Sequence, residues 1–131
     1  MDYLLDTHVL LWVVSEPDKV SGKHRKIIED SNNRIFVSYL SYMEISIKVK
    51  IGKLPDFKTD INTLVAHVES RGMVNLNIEV PHIQHYQNLP LIDDHRDPFD
   101  RFIISTAIAE NMKILSVDKK FQLYKKYLKV V

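Results

Sequence analysis

Four acidic residues, Asp6, Glu44, Asp100 and Asp118, stand beside the end of an apolar run or the start of a helical pattern. Carboxylates brought within a few ångströms repel, so some must protonate or the group must recruit a cation. An all-oxygen donor set suits Mg²⁺ or Mn²⁺, hard ions that keep several waters and also bind phosphate. In phosphodiester hydrolysis such an ion polarises the phosphoryl oxygen, deprotonates a water and stabilises the leaving oxygen. Covalent chemistry is poorly provided for, since the chain has no cysteine and no G-x-S-x-G nucleophile elbow. Each acid also has a structural reading. Glu44 would close a capping box on Ser41. Asp97 is a natural N-cap before Pro98, with Asp100 favouring the helix dipole one turn in. Asp118 could cap a helix over Lys119 to Tyr124. Asp6, set between Leu5 and a further apolar run, is costly to bury unpaired.

The elements that must position these acids are short. Tyr3-Leu4-Leu5, Arg34 to Val37, Val74 to Ile78 and Lys113 to Val117 read as strands, with Tyr127 to Val131 a candidate fifth. Ser21 starts a helix over Lys23 to Glu29, and Ile61, Leu64, Val65 and Val68 recur at helical spacing before Gly72. Asp97-Pro98 opens another helix running to about Asn111. One segment is in conflict: Ile45, Ile47, Val49 and Ile51 alternate as in a strand, whereas Ser41-Tyr42-Met43-Glu44 has the form of a helix start. Strands alternating with helices imply an α/β fold with a mostly parallel sheet covered on both faces. Ligands in such folds sit outside the carboxyl ends of the strands. Asp6 and Asp118 directly follow strands, while Glu44 and Asp100 lie in first turns. The four can therefore converge on one rim.

With 131 residues, 45% hydrophobic and 27% charged, the chain reads as one globular domain over residues 1–131. A net charge of +1 excludes binding to nucleic acid or membrane by bulk charge, so such a partner must be held locally. Locally basic stretches exist: Lys113 to Lys129 holds six lysines against Asp118 alone, and Lys19 to Lys26 adds Lys23, His24 and Arg25. These are candidates to track an RNA backbone, and Tyr39 and Tyr42 are candidates to stack on bases. Arg101 reads either as an i,i+4 partner of Asp97 or as a phosphate-positioning group. His82 and His85 could share a helix face but make a poor zinc site. His8 and His95 read as packing or hydrogen-bonding groups, and Trp12, Phe36, Phe102 and Phe121 as core. The amino-terminal segment has no basic region of the secretory kind, and Val9 to Val14 is far shorter than the roughly 20 residues that span a bilayer. A cytoplasmic protein without membrane attachment is expected.

Leu4-Leu5-Asp6-Thr7-His8-Val9-Leu10-Leu11-Trp12 resembles the opening of the PIN domain, specifically of VapC-like toxins of type II toxin–antitoxin systems. Ser41-Tyr42-Met43-Glu44-Ile45 with Gly52-Lys53-Leu54 resembles that family's second block. His95-Arg96-Asp97-Pro98-Phe99-Asp100-Arg101 is similar to the third, and Ser116-Val117-Asp118 with Phe121 to the last. The resemblance implies a PIN-like three-layer sandwich and a metal-dependent endoribonuclease using Mg²⁺ or Mn²⁺. Its pocket acids would be Asp6, Glu44, Asp100 and Asp118, supported by Asp97, Arg101 and Ser116. It further implies that Glu44 to Ile51 is helical, and that the partners are RNA, a cognate antitoxin and a second copy of the chain. Where some members carry a further acid before the final Phe, this chain has Lys120, which argues against a full second metal site. A phosphoacceptor signalling domain would want adjacent acids after the first strand, and only Asp6 is there. The other rival is a catalytically silent PIN-fold interaction module, against which the four intact acids argue.

Overall fold

A computed structural model describes residues 1–131. Four strands, β1 (Asp2–Leu5), β2 (Arg34–Ser38), β3 (Val74–Leu76) and β4 (Lys113–Leu115), form a parallel sheet in the order β3-β2-β1-β4. Parallel neighbours require crossovers. These carry α1 (Thr7–Ser15), α2 (Gly22–Glu29), α3 (Tyr39–Lys50), α4 (Ile61–Ser70), α5 (Val80–Asn88) and α6 (Pro98–Glu110). Short 3₁₀ helices lie at Pro17–Lys19 and Lys119–Tyr124. The chain winds outward from β1 through β2 to β3, then returns to the far side of β1 as β4. The strand order therefore switches between β1 and β4, where a crevice opens at the carboxyl ends.

Strand side chains alternate between faces, and both faces are buried. Tyr3, Leu5, Ile35 and Val37 pack with Val9, Leu10 and Val13 of α1, Tyr42 and Ile45 of α3, and Leu64 and Val68 of α4. Leu4, Phe36 and Ile114 pack on the other face with Ile103, Ile104 and Ala107 of α6 and with Phe121 and Tyr124. The result is the expected three-layer α/β arrangement. Leu4 and Leu5 have no exposed surface, and such burial contributes roughly 1.5–3 kcal/mol per side chain. The two cores clamp β1 between them and so fix the position of Asp6.

The conflicting segment is helical. Ser41, Tyr42, Glu44 and Ile45 are buried, at the i, i+1, i+3, i+4 spacing of one helix face, while Val49 and Ile51 are exposed where the helix ends. Its cap is Ser38, whose Oγ accepts the Leu40 N–H at 3.1 Å, rather than Ser41. Ser41 accepts a hydrogen bond from the Thr7 hydroxyl at 2.9 Å, so the capping box with Glu44 does not form. Gly52, at φ +77, follows the last turn of α3, and the Lys53 N–H returns to the Lys48 carbonyl at 2.8 Å.

The strand at Val74 stops at Leu76 instead of Ile78, since its partner β2 ends at Ser38, opposite Leu76. The strand at Lys113 stops at Leu115 instead of Val117. Tyr127 to Val131 makes a single parallel bridge, Val130 opposite Ile114, rather than a fifth strand. Helix α5 occupies a stretch in which no element was expected beyond a shared face for His82 and His85. The His82 imidazole stabilises its start, with Nδ1 accepting the Glu79 N–H at 3.1 Å.

Candidate active site

Asp6, Glu44, Asp97, Asp100 and Asp118 line one cleft of about 470 Å³ at the switch point. Asp6 sits where β1 ends and α1 begins, yet its side chain caps no backbone N–H. It accepts instead from the Ser116 hydroxyl at 2.9 Å, and Ser116 Oγ accepts the Asp118 N–H at 3.1 Å. The segment after β4 thus clamps Asp6 from the neighbouring strand. Glu44, in α3, is buried and pairs with Lys48 one turn on, at 3.1 Å. Asp100, in the first turn of α6, lies 3.2 Å from His95 Nε2. Asp97 Oδ1 accepts the N–H groups of Phe99 and Asp100 at 2.9 and 3.1 Å. The two readings of Asp97 are therefore compatible: it caps α6 and lines the cleft. Asp118 Oδ1 accepts the Lys120 N–H at 2.9 Å and caps the 3₁₀ helix.

Five carboxylates in this cleft face two ammonium groups, Lys48 and Lys53, and Lys48 is tied to Glu44. Burial pushes the Asp6 pKa up to about 6, against the Ser116 hydrogen bond, with the charges of Asp100 and Glu44 adding to the rise. Burial likewise raises Asp100 to about 7, reinforced by Asp97, Asp118 and Glu44 and opposed by Lys120. Carboxylates that hold protons so firmly lack a positive partner. No three His, Cys, Asp or Glu side chains form a ready-made metal cage. Mg²⁺ needs none, because it keeps several waters and takes one or two carboxylates together with substrate phosphate. The donor set fits Mg²⁺ or Mn²⁺. It does not suit softer ions, since the chain has no thiol and His8 is the one imidazole lining the cleft.

Several expected participants lie elsewhere. Arg101 neither pairs with Asp97 nor enters the cleft. It is buried, with Nη1 donating to the Pro90 carbonyl at 3.0 Å and to the Tyr124 hydroxyl at 2.8 Å, and Nη2 donating to the Leu89 carbonyl at 2.8 Å. His24 is buried against the Val131 carbonyl at 2.7 Å and is no part of a basic surface. Tyr42 is buried and donates its hydroxyl to Asn75, which removes it as a base-stacking platform. Tyr39 packs against it with one face partly exposed. His82 Nε2 lies 2.7 Å from Glu110 Oε1, so both its ring nitrogens are engaged within the fold and none is left for zinc. Phe36, Phe102 and Phe121 are core, whereas Trp12 is only half-buried and packs on His8 at 5.0 Å. Lys48 and Lys53 went unassigned at the level of sequence; the i,i+4 spacing of Glu44 and Lys48 is the signal for the first.

The family model for the PIN domain matches residues 3–127. The chain belongs to the PIN domain family. Among solved structures it is similar to a chain of VapBC2 from Rickettsia felis, bound to a DNA fragment from its promoter, at 19% identity and TM-score 0.67, covering 100% of this chain and 98% of that one. It is also similar to VapBC-1 from nontypeable Haemophilus influenzae, at 22% identity and TM-score 0.59 over 100% and 97% of the two chains. VapBC-5 from Mycobacterium tuberculosis, a member of the VapBC family of toxin–antitoxin systems, aligns at 16% identity and TM-score 0.60 over 99% and 95%. No curated protein sequence matches the chain. In this PIN domain, residues from all four resembling blocks meet at the cleft: Asp6, Glu44 with Lys53 and Leu54, Asp97 with Asp100, and Asp118. No helix is long and apolar enough to cross a membrane.

Proposed function

We propose that this PIN domain is a metal-dependent endoribonuclease, the toxin of a type II toxin–antitoxin pair, hydrolysing RNA phosphodiester bonds by attack of water. The observation that carries this reading is the cleft of five carboxylates in which Asp6 and Asp100 hold their protons up to about pH 6 and 7. Asp6 and Asp100 are the principal ligands of Mg²⁺ or Mn²⁺, with Glu44 and Asp118 completing the acidic pocket directly or through waters. A bound divalent ion supplies charge neutralisation at the phosphate and a water acidic enough to attack. The chain's residues do the positioning. Ser116 holds Oδ2 of Asp6, so the carboxylate is already turned when a cation arrives. Lys48 holds Oε2 of Glu44 from one turn along α3. Asp97 and Asp118 each engage one oxygen with a backbone N–H and leave the other for water or cation.

The likeness to chains of VapBC complexes supports a small antitoxin as the protein partner of this chain; a homodimer as its assembly is part of the same proposal. The test is cleavage of labelled total cellular RNA by purified protein, with Mg²⁺, with chelator, and with Asp6→Asn. Discrete fragments that vanish in both controls are expected. Equal cleavage by wild type and Asp6→Asn would reveal a contaminant. No cleavage by folded, antitoxin-free protein would leave the silent interaction module as the better account.

A further inference from the structure

Behind Asp100 lies a buried chain of hydrogen bonds whose direction is dictated at its far end. Arg101 can only donate. Its Nη1 is 2.8 Å from the Tyr124 hydroxyl, so that oxygen accepts and the phenolic proton must point elsewhere. The available acceptor is His95 Nδ1, at 2.8 Å. With Nδ1 accepting, a neutral imidazole carries its proton on Nε2, which lies 3.2 Å from Asp100 Oδ2 and donates to it. The other Arg101 donors end on the Leu89 and Pro90 carbonyls, which anchor the segment leading to His95. His95, Arg101 and Tyr124 are all buried, at 4%, 3% and 0% exposure. Arg101, in the same helix as Asp100, and Tyr124, from a distant part of the chain, thus fix one imidazole tautomer against one carboxylate oxygen.

We propose that His95 is the positioning residue of Asp100: through the relay from Arg101 and Tyr124 it holds Oδ2 by an Nε2–H donor and leaves Oδ1 as the oxygen presented to the cleft. This rests on the reading of Asp100 as a cation ligand. The arrangement is the hydrogen-bonded outer shell that keeps a ligating carboxylate oriented. It also explains why a histidine, with a donor and an acceptor on opposite sides of one rigid ring, stands between a tyrosine and an aspartate.

The test uses two amides that each copy half of the imidazole. The substitution His95→Gln places an N–H donor near the Nε2 position, and His95→Asn places an acceptor near Nδ1. Binding of Mn²⁺ alone, without RNA, is followed by electron paramagnetic resonance for wild type, His95→Gln, His95→Asn, His95→Leu and Tyr124→Phe. His95→Leu and His95→Asn are expected to weaken Mn²⁺ at least about tenfold, while His95→Gln stays near wild type. Tyr124→Phe, which frees the tautomer without removing the imidazole, is expected to fall between. A merely structural His95 would lower the melting temperature in all three substitutions at that position without separating the glutamine variant from the asparagine one. Nitrogen-15 spectra of the metal-free wild type at pH 8.5, where Asp100 is ionised and can only accept, supply a readout that needs no variant to fold: His95 should be protonated on Nε2 and bare on Nδ1. The Nδ1–H tautomer, or unchanged Mn²⁺ affinity in folded His95→Leu, overturns the proposal. Absence of Mn²⁺ binding and RNA cleavage in wild type would instead overturn the nuclease reading, leaving the tautomer result to judge the relay by itself.

Discussion

Asp2 and Asp6 lie on either end of the same strand and have opposite fates. Asp2, at the amino edge of the sheet, receives two hydrogen bonds from Arg34, at 2.9 and 2.6 Å. That guanidinium holds its carboxyl below the usual range. Asp6, four residues on at the carboxyl edge, is buried with a hydroxyl for company and no cation of its own, and its pKa rises to about 6. One edge of the sheet neutralises its acid, and the other accumulates five without matching positive charge. An acid placed for structure is given a partner, whereas the acid at the carboxyl edge is left unneutralised, which is what the proposed cation site requires.

The comparison is broken most sharply by removing charge at the carboxyl edge. Asp6→Asn and Asp100→Asn are each expected to cut RNA cleavage by roughly 10²–10³-fold, because each removes a preorganised charge from the reacting centre. Steady-state rates at saturating Mg²⁺ measure this. A loss of less than a few-fold would mean that the acids are not in the machinery.

The same substitution should have the opposite effect on stability. The folded chain holds the Asp6 proton more tightly than the unfolded chain, so its contribution to stability is full below pH 3.8 and is lost as pH rises through about 6. Asn carries no such penalty. In chelator, Asp6→Asn should therefore match wild type in strong acid and exceed it above pH 6, on the order of 1–3 kcal/mol. Thermal or urea unfolding across pH 4 to 8 tests the sign, and saturating Mg²⁺ should erase the advantage by stabilising only the wild type.

Ser116→Ala sharpens the picture at smaller amplitude. The Ser116 hydrogen bond lowers the Asp6 pKa against burial, so its loss should raise that pKa further and move the pH threshold for Mg²⁺ binding upward. Metal affinity at pH 7 should fall by about tenfold. The smallest effect belongs to the other end of the strand: Asp2→Asn removes an exposed pair and should leave cleavage unchanged and the melting temperature nearly so.

Much of this was legible in the residues. The unbroken apolar runs Tyr3-Leu4-Leu5 and Ile35-Phe36-Val37 announced strands buried on both faces, and Pro98 with Asp97 announced the start of α6. Asp6 and Asp118 could be placed on the functional edge because a residue following a parallel strand must emerge there. Helix α3 was ambiguous, since alternation over Ile45 to Ile51 is a local pattern while the burial that selects the helix comes from α1, α4 and α6. Helix α5 was missed because its stabilising contacts, His82 with Glu110 and with Phe102, come from α6. Arg101 was misplaced for the same kind of reason. A guanidinium one turn from an acid suggests an ion pair, and nothing local shows that Leu89, Pro90 and Tyr124 will occupy its donors.

By itself the sequence determined the type of fold, the absence of thiol chemistry, and which acids would reach the carboxyl edge, since these follow from periodicity, composition and strand direction. Only the tertiary structure decided which of those acids are unneutralised, that Asp97 both caps and lines, and that His95 stands behind Asp100 with one tautomer. Proton affinity and hydrogen-bond direction depend on burial and on neighbours brought from distant positions, such as Ser116 to Asp6 and Tyr124 to His95. No local pattern carries that information, because the dielectric and the partners that set it exist only once the chain has folded.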